Sequence, residues 1–207
     1  MKFGLGFPHH SAVAAKELGQ NMKRGIEAAF SVANANGGVH GRQLRLIAAD
    51  DGYEPARTAV TMKQLYERDQ VFGVVGNVGT PTAVVGLPYA LERKMLFFGA
   101  FTGAGLLRSD PPDRYVFNYR ASYAEETERH GAISGEGQAA KAGRRSRSLP
   151  SRIAYGDSGF AGVAKAIRSL GGNDSTILRL NYQRNTVDVD EAVAQLQAHN
   201  PTRAASQ

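Results

Sequence analysis

The sequence has no cysteine, so neither a disulfide framework nor a thiolate-bound metal can hold this chain together. No apolar run approaches the ~20 residues that a membrane helix needs. The opening stretch, MKFGLGFPHHSAVAAKELG, offers one lysine and few apolar residues before Pro8. A secretory signal needs a longer apolar core and a small-residue cleavage site, so none is expected there. Net positive charge is scarce outside one segment. The formal net charge is +6, yet Lys141, Arg144, Arg145, Arg147 and Arg152 face Glu136 alone between His130 and Arg152. That segment holds a surplus of four, which leaves only +2 for the rest. A nucleic-acid interface would need basic residues spread over a folded face, so none is expected.

What the chain does have is alternation. Lys2–Phe7 reads as a first strand, weakened by Gly4 and Gly6. From Ala14 to Asn34, Leu18, Met22, Ile26, Ala29, Phe30 and Ala33 recur at helical spacing. Gln43–Ala49 alternates as a strand with Leu44, Leu46 and Ala48 on one face, closed by an Asp50-Asp51-Gly52 turn. Glu54-Pro55 opens a helix expected to turn Ala59, Met62, Leu65 and Tyr66 inward. Strands and helices alternating at this interval predict a parallel sheet with helices on both faces.

The centre of the chain is Val71–Thr102. Val71–Val75 reads as a buried strand, Gly76–Gly79 as a loop, and Leu96–Phe98 as the next strand. Thr80-Pro81 is expected to start the intervening helix, with the threonine hydroxyl as N-cap and the proline at the first helical position. That helix start offers N–H groups and a positive dipole end to an anion. Ligands of open α/β sheets bind outside the carboxyl ends of the strands, so a site is expected between Thr80 and Thr102. The alternative is a helix cap that meets no ligand at all.

Farther on, Tyr115–Tyr119 reads as a strand, and Ser122 with Glu125 and Glu126 as a helix start. That helix is expected to stop early. His130–Arg152 has only Ile133 and Leu149 as large apolar residues and shows no period, a composition typical of disorder. Ile153-Ala154-Tyr155 then reads as a short strand with Asp157 as an N-cap. Ser158–Leu170 follows as a helix with Phe160, Val163 and Ile167 inward, Thr176–Tyr182 as a strand, and Val189–His199 as a helix with Val189, Ala192, Val193 and Leu196 inward.

Several motifs have plainer readings than chemistry. Asp50-Asp51 could serve acid–base work or a metal, but no histidine or third carboxylate accompanies it, and a strand-ending turn accounts for it. Gly156-Asp157-Ser158-Gly159 resembles a nucleophile loop, yet no partner histidine is placed for the serine. Gly73, Gly76 and Gly79 match neither the dinucleotide fingerprint nor a P-loop with its lysine. No catalytic residue, metal or cofactor is expected.

The fragments AKELGQNMKRGIEAAFSVANANGGVHGRQLRLIAADDGYEP, FGVVGNVGTPTA, FFGAFTGAGLLR and YGDSGFAGVAKAIRSLGG, in this order and spacing, resemble the type I periplasmic solute-binding proteins. Within these the chain is similar to the Leu/Ile/Val-binding group that serves ABC importers. The resemblance covers Ala15–Arg129 and Ala154–His199. It implies an α/β fold of doubly wound parallel sheets in two lobes that close over a ligand. The first lobe, residues 1–120, would be nearly complete, the second, 121–199, partial, and 200–207 a tail. By position in the family pattern, Thr80 would receive an amino-acid carboxylate, and Ala100 (through its carbonyl) and Thr102 would take the ammonium and share the carboxylate. Val78 and Gly79 would line the wall, Leu18 would face the entrance, and Tyr155 would close from the second lobe. Phe101 and Leu18 point to an apolar or aromatic side chain on the ligand.

The same resemblance implies an amino acid or similar small molecule as ligand, an ABC-importer permease as partner, a monomer, and a periplasmic location. The family has a helix remainder and an apolar strand where this chain has His130–Arg152. The segment is therefore read as the product of two compensating frameshifts, with the tail from Asn200 a third. Other readings stay open: a ligand-sensing domain of the same fold, a Rossmann-like enzyme, or a remnant that binds nothing.

Overall fold

The computed structural model describes residues 1–7, 13–136, 146–148, 154–180, 188–198 and 203–205. The chain divides into two compact units, Met1–Thr102 with Leu106–Arg120, and Gly103–Gly105 with Ala121–Gln207.

The first unit runs β1 (Lys2–Phe7), α1 (Val13–Ala35), β2 (Arg45–Asp50), α2 (Pro55–Lys63), β3 (Gly73–Val75), α3 (Thr80–Glu92), β4 (Leu96–Phe98) and β5 (Val116–Phe117). Its strands form one sheet in the order β2-β1-β3-β4-β5, and every pair is parallel. The chain steps from β1 to one side, then from β2 back across to β3. Right-handed crossovers therefore place α1 on one face and α2 with α3 on the other. Alternate residues of β1 show both faces. The Phe3 ring lies 5.5 Å from Phe30 of α1, whereas a Cβ added at Gly4 would stand 2.8 Å from Leu65. The glycine that weakens β1 on paper is the seat of a buried leucine.

The main core lies on the α2–α3 face, where Met62, Leu65, Val74, Leu87, Ala90, Met95 and Phe97 pack together. Two expected faces are corrected by it. Helix α2 turns Thr58, Thr61 and Met62 inward, with Leu65 just beyond it, while Ala59 and Tyr66 are exposed. In β2, Leu46 meets Val78 on one side and Ile47 and Ala49 meet the main core on the other. Apolar residues on both faces suit a strand flanked by helices on each side. Not every face is covered. Phe98 and Phe117, paired across β4 and β5, remain 47% and 51% exposed.

The second unit contains α4 (Tyr123–Glu136), β6 (Ser146–Ser148), α5 (Ala154–Ser169), β7 (Leu178–Arg179), α6 (Asp190–Ala198) and β8 (Arg203–Ala205). Its strands form a parallel sheet in the order β7-β6-β8. Helix α4 opens on the expected capping box. The Glu125 N–H donates to Ser122 Oγ at 3.1 Å, and Glu125 Oε2 accepts from the Ser122 N–H, also at 3.1 Å.

The helix does not stop where its apolar pattern fades, because it continues to Glu136. Ser146–Ser148 likewise forms the middle strand of the sheet, although no strand period marks it. The remainder of 137–153 lies outside the described residues. Close packing explains how α4 dispenses with large apolar residues. Gly162 of α5 comes so near that a Cβ there would meet Thr127 Oγ1 at 2.0 Å and the Ala124 carbonyl at 2.2 Å. Thr127 Oγ1 also donates to the Gly159 carbonyl at 3.0 Å. Such an interface is built from small residues and carries little hydropathy signal.

Three further expectations change here. Ala154 and Tyr155 belong to the first turn of α5 rather than to a strand, and Ile153 lies outside the described residues. Asp157 pairs with Arg179 instead of capping the helix. In α6 only Ala192 is fully buried, and Val189 and Val193 are each 39% exposed.

Candidate functional site

The carboxyl ends of β3 and β4 lead into two loops that are zipped together. Asn77 accepts the Phe101 N–H at 2.7 Å, Phe101 accepts the Gly79 N–H at 3.2 Å, and the Gly76 N–H donates to Phe98 at 3.0 Å. This ladder fixes residues 76–79 against residues 98–101 before any side chain is considered. Its outcome is one hydroxyl pair. Thr80 Oγ1 and Thr102 Oγ1 lie 2.6 Å apart, and both residues are buried.

The start of α3 differs by one residue from expectation. Gly79 is the N-cap, with φ 94° and ψ 157°, and no side chain caps the helix. Thr80 and Pro81 therefore occupy the first two helical positions. A threonine there cannot reach forward to cap, which leaves its hydroxyl to Thr102 across the loop. Thr82 closes the other side, donating to the Val78 carbonyl at 2.6 Å and the Gly79 carbonyl at 2.9 Å. The N–H groups of Thr80 and Thr82 belong to the first turn, where no carbonyl one turn back can take them. Two hydroxyls and a helix N-terminus converge at one place.

The remaining expected residues divide by role. Ala100 is buried and its carbonyl accepts the Thr102 N–H at 2.9 Å, so a second lone pair remains for another donor. Val78 is buried in a small apolar cluster with Leu18, Met22, Ile26 and Leu46. Both Val78 and Leu18 thus help to dock α1 behind the loop. Phe101 is half-buried, and the Arg120 guanidinium lies 5.1 Å from its ring centroid. Tyr155 lies in the second unit, at the start of α5.

Two residues at this end of the first unit have no counterpart among the expected ones. Arg120 is the first. Tyr53 is the second, and it is held in place from two directions. Its backbone is left-handed, with φ 62°, and its N–H donates to Asp51 Oδ1 at 3.0 Å. Its ring lies so close to Gly79 that an added Cβ would stand 2.0 Å from Cε2.

Asp51 is fully buried, and Thr58 Oγ1 donates to its other oxygen at 2.9 Å. Burial raises the Asp51 carboxyl above the ordinary carboxylate range, against the lowering effect of the Tyr53 and Thr58 hydrogen bonds. The neighbouring Asp50 accepts the Gly52 N–H at 2.8 Å. Both carboxylates of the pair therefore serve their own turn, as expected for a strand end. The signal for Tyr53 was its place: in a parallel sheet, the turn after β2 opens on the same edge as the loops after β3 and β4.

The family model for periplasmic binding proteins matches residues 2–203. The chain belongs to that family. Within it the chain groups with the type I, Leu/Ile/Val-binding-protein-like members. Leu/Ile/Val-binding protein homolog 7 of Brucella melitensis is 27% identical over 206 residues, covering 96% of this chain and 49% of its own length. A solved structure described as a possible leucine/isoleucine/valine-binding protein from Rhodopirellula baltica is 41% identical. It has a TM-score of 0.87 over all of this chain and 55% of its own.

A solute-binding protein of an ABC transporter from R. palustris, solved with benzoate, shares the fold at 17% identity. Its TM-score is 0.84, over 100% of this chain and 54% of that one. This family member thus spans about half the length of the relatives that it matches along its whole extent. No helix among the described residues is long and apolar enough to cross a membrane.

Proposed function

We propose that this chain carries the carboxylate anchor of an ABC-importer solute-binding protein, and that its ligand is an amino acid with a branched or otherwise apolar side chain. The observation that carries the reading is the Thr80–Thr102 hydroxyl pair at the N-terminus of α3. In that pair one hydroxyl donates its proton to the other. A carboxylate accepts only, so it would take the one O–H left over, or both O–H groups if it replaced the bond between them, together with the first-turn N–H groups and the positive end of the helix. The Ala100 carbonyl offers a nearby acceptor for an ammonium, which suits a zwitterion. One protein of this fold is described as a possible leucine/isoleucine/valine-binding protein and another was solved with benzoate; these ligands differ in side group and share a carboxylate.

The role is binding and delivery rather than catalysis, with a membrane permease as the receiving partner. The periplasm is the location, and the chain works as a monomer.

The test is a thermal melt and calorimetric titration of the 207-residue chain with glycine, L-leucine, L-phenylalanine and benzoate. A ligand at about 100 times its Kd adds roughly 2.7 kcal/mol of stability, a shift of several degrees. Thr80→Ala and Thr102→Val should each weaken binding about 10- to 100-fold, the range for losing one hydrogen bond to a charged group. A chain that none of the four stabilises, or one whose binding ignores both substitutions, would overturn the reading.

A further inference from the structure

Tyr53 is costly to keep where it is. Left-handed backbone is uncommon for a residue with a bulky side chain, and a turn after a strand would accept glycine or asparagine with less strain. The surroundings hold it there even so. Asp51, fully buried, takes the Tyr53 N–H with one oxygen and the Thr58 hydroxyl with the other. The ring that results is half-buried and lies against Gly79, directly before the buried Thr80. Gly79 in turn suits glycine, both for its φ of 94° and because any side chain there would have to displace the ring. The fixed backbone and the ring therefore form one wall of the anchor. That wall is aromatic, and it stands beside the place where a carboxylate would be held.

Resting on the carboxylate reading above, we infer that Tyr53 is a specificity-determining residue. Its ring contacts the apolar side chain of a ligand whose carboxylate sits at Thr80 and Thr102, and so favours leucine- or phenylalanine-like ligands over glycine. A carboxylate held at the helix N-terminus fixes the ligand's α-carbon within a few ångströms. One path for the side group runs past the Tyr53 ring that lies against Gly79. The loop backbone presents polar groups along that path, whereas the ring presents carbon.

The test measures the affinity of the full chain for glycine, L-leucine and L-phenylalanine by calorimetry. The variants are Tyr53→Gly, which keeps the backbone angle and removes the ring, and Tyr53→Phe, which keeps the ring. Tyr53→Gly should weaken leucine and phenylalanine binding tenfold or more while changing glycine less than threefold. Tyr53→Phe should behave as the wild type. Thr80→Ala should weaken all three alike, which separates the anchor from the wall. Should Tyr53→Gly not fold, Tyr53→Asn accepts the same backbone and carries the same expectation. Equal weakening of all three ligands by loss of the ring, or no weakening, would overturn the inference and leave the anchor standing. So would a wild type that holds glycine as tightly as leucine. A wild type that binds none of them overturns both.

Discussion

Among the described glycines, Gly79 and Gly162 are the two where an added Cβ would stand nearest a neighbour, one in each unit. A Cβ added at either would stand 2.0 Å from another side chain, the Tyr53 ring in one case and the Thr127 hydroxyl in the other. What lies behind that first contact differs. At Gly79 the three nearest atoms all belong to one tyrosine ring, which can swing on its own bonds. At Gly162 the Ala124 carbonyl is next at 2.2 Å, and a helix backbone cannot swing. The comparison teaches that one glycine serves a wall that can be adjusted and the other serves a lock between two helices.

The largest effect should come from breaking the lock. Gly162→Ala should cost roughly 1–3 kcal/mol, and Gly162→Leu more, because α4 and α5 must separate to admit any side chain. Urea unfolding followed by far-UV circular dichroism would measure it. Gly79→Ala should cost about 1–3 kcal/mol, part of it backbone strain at φ 94° and part displacement of the ring.

The difference between the two sites is sharpened by pairing each change with its neighbour. Tyr53→Gly should recover the steric part of Gly79→Ala, a coupling of about 1 kcal/mol in a double-mutant cycle. Thr127→Gly should recover little of Gly162→Ala, because the Ala124 carbonyl stays. Equal recovery at both sites would abolish the distinction.

The same contrast explains what could be read from the sequence. The first unit alternates apolar strand with amphipathic helix, and its sheet, its core strands and the loop after β3 were all legible in that period. The hydroxyl pair was half legible. Thr80 and Thr102 stood out as candidates, but the residue that caps the helix depends on a Gly79 dihedral that no period encodes. Tyr53 was legible only by place, in the turn after β2 on the same sheet edge, because its contact is with Gly79 in a separate loop. The lower part of α4, from His130 to Glu136, was missed because its composition has no apolar period. At its start α4 meets Gly159 and Gly162 of α5 through Ala124 and Thr127, contacts that an apolar count cannot see.

Asp51 supplies the pH dependence that distinguishes the wall from the lock. Burial raises its carboxyl in the folded state above the ordinary value of 3.8. The folded chain therefore holds this proton more tightly than the unfolded chain does. Its contribution is fully present below 3.8 and is lost as pH rises through the folded-state pKa. At neutral pH the buried charge is a cost. Asp51→Asn keeps an acceptor for the Tyr53 N–H and gives Thr58 Oγ1 a donor in place of a charge. Stability at pH 7 should stay level or rise by up to about 1 kcal/mol. Melts from pH 4 upward should lose the part of their slope that Asp51 contributes. An unchanged slope would mean that the carboxyl titrates as it does in the unfolded chain.

The smallest effect tests whether packing alone makes the lock. Lys165 Nζ of α5 lies 2.9 Å from Glu128 Oε2 of α4, so an ion pair spans the same two helices as Gly162. Its charges sit at the surface, the lysine side chain 66% exposed and the glutamate 33%. Water and salt screen such a pair, and ordering two long side chains offsets much of what remains, so Lys165→Ala should cost less than about 1 kcal/mol. That cost should shrink further in 0.5 M sodium chloride, where the Debye length falls below about 5 Å. The Gly162→Ala penalty should not shrink with it, because a steric clash does not depend on ionic strength. If the lysine substitution cost as much as the glycine one, and salt erased both, α4 and α5 would be held by charge. The absence of a β-carbon at Gly162 would then be incidental to the way these helices meet.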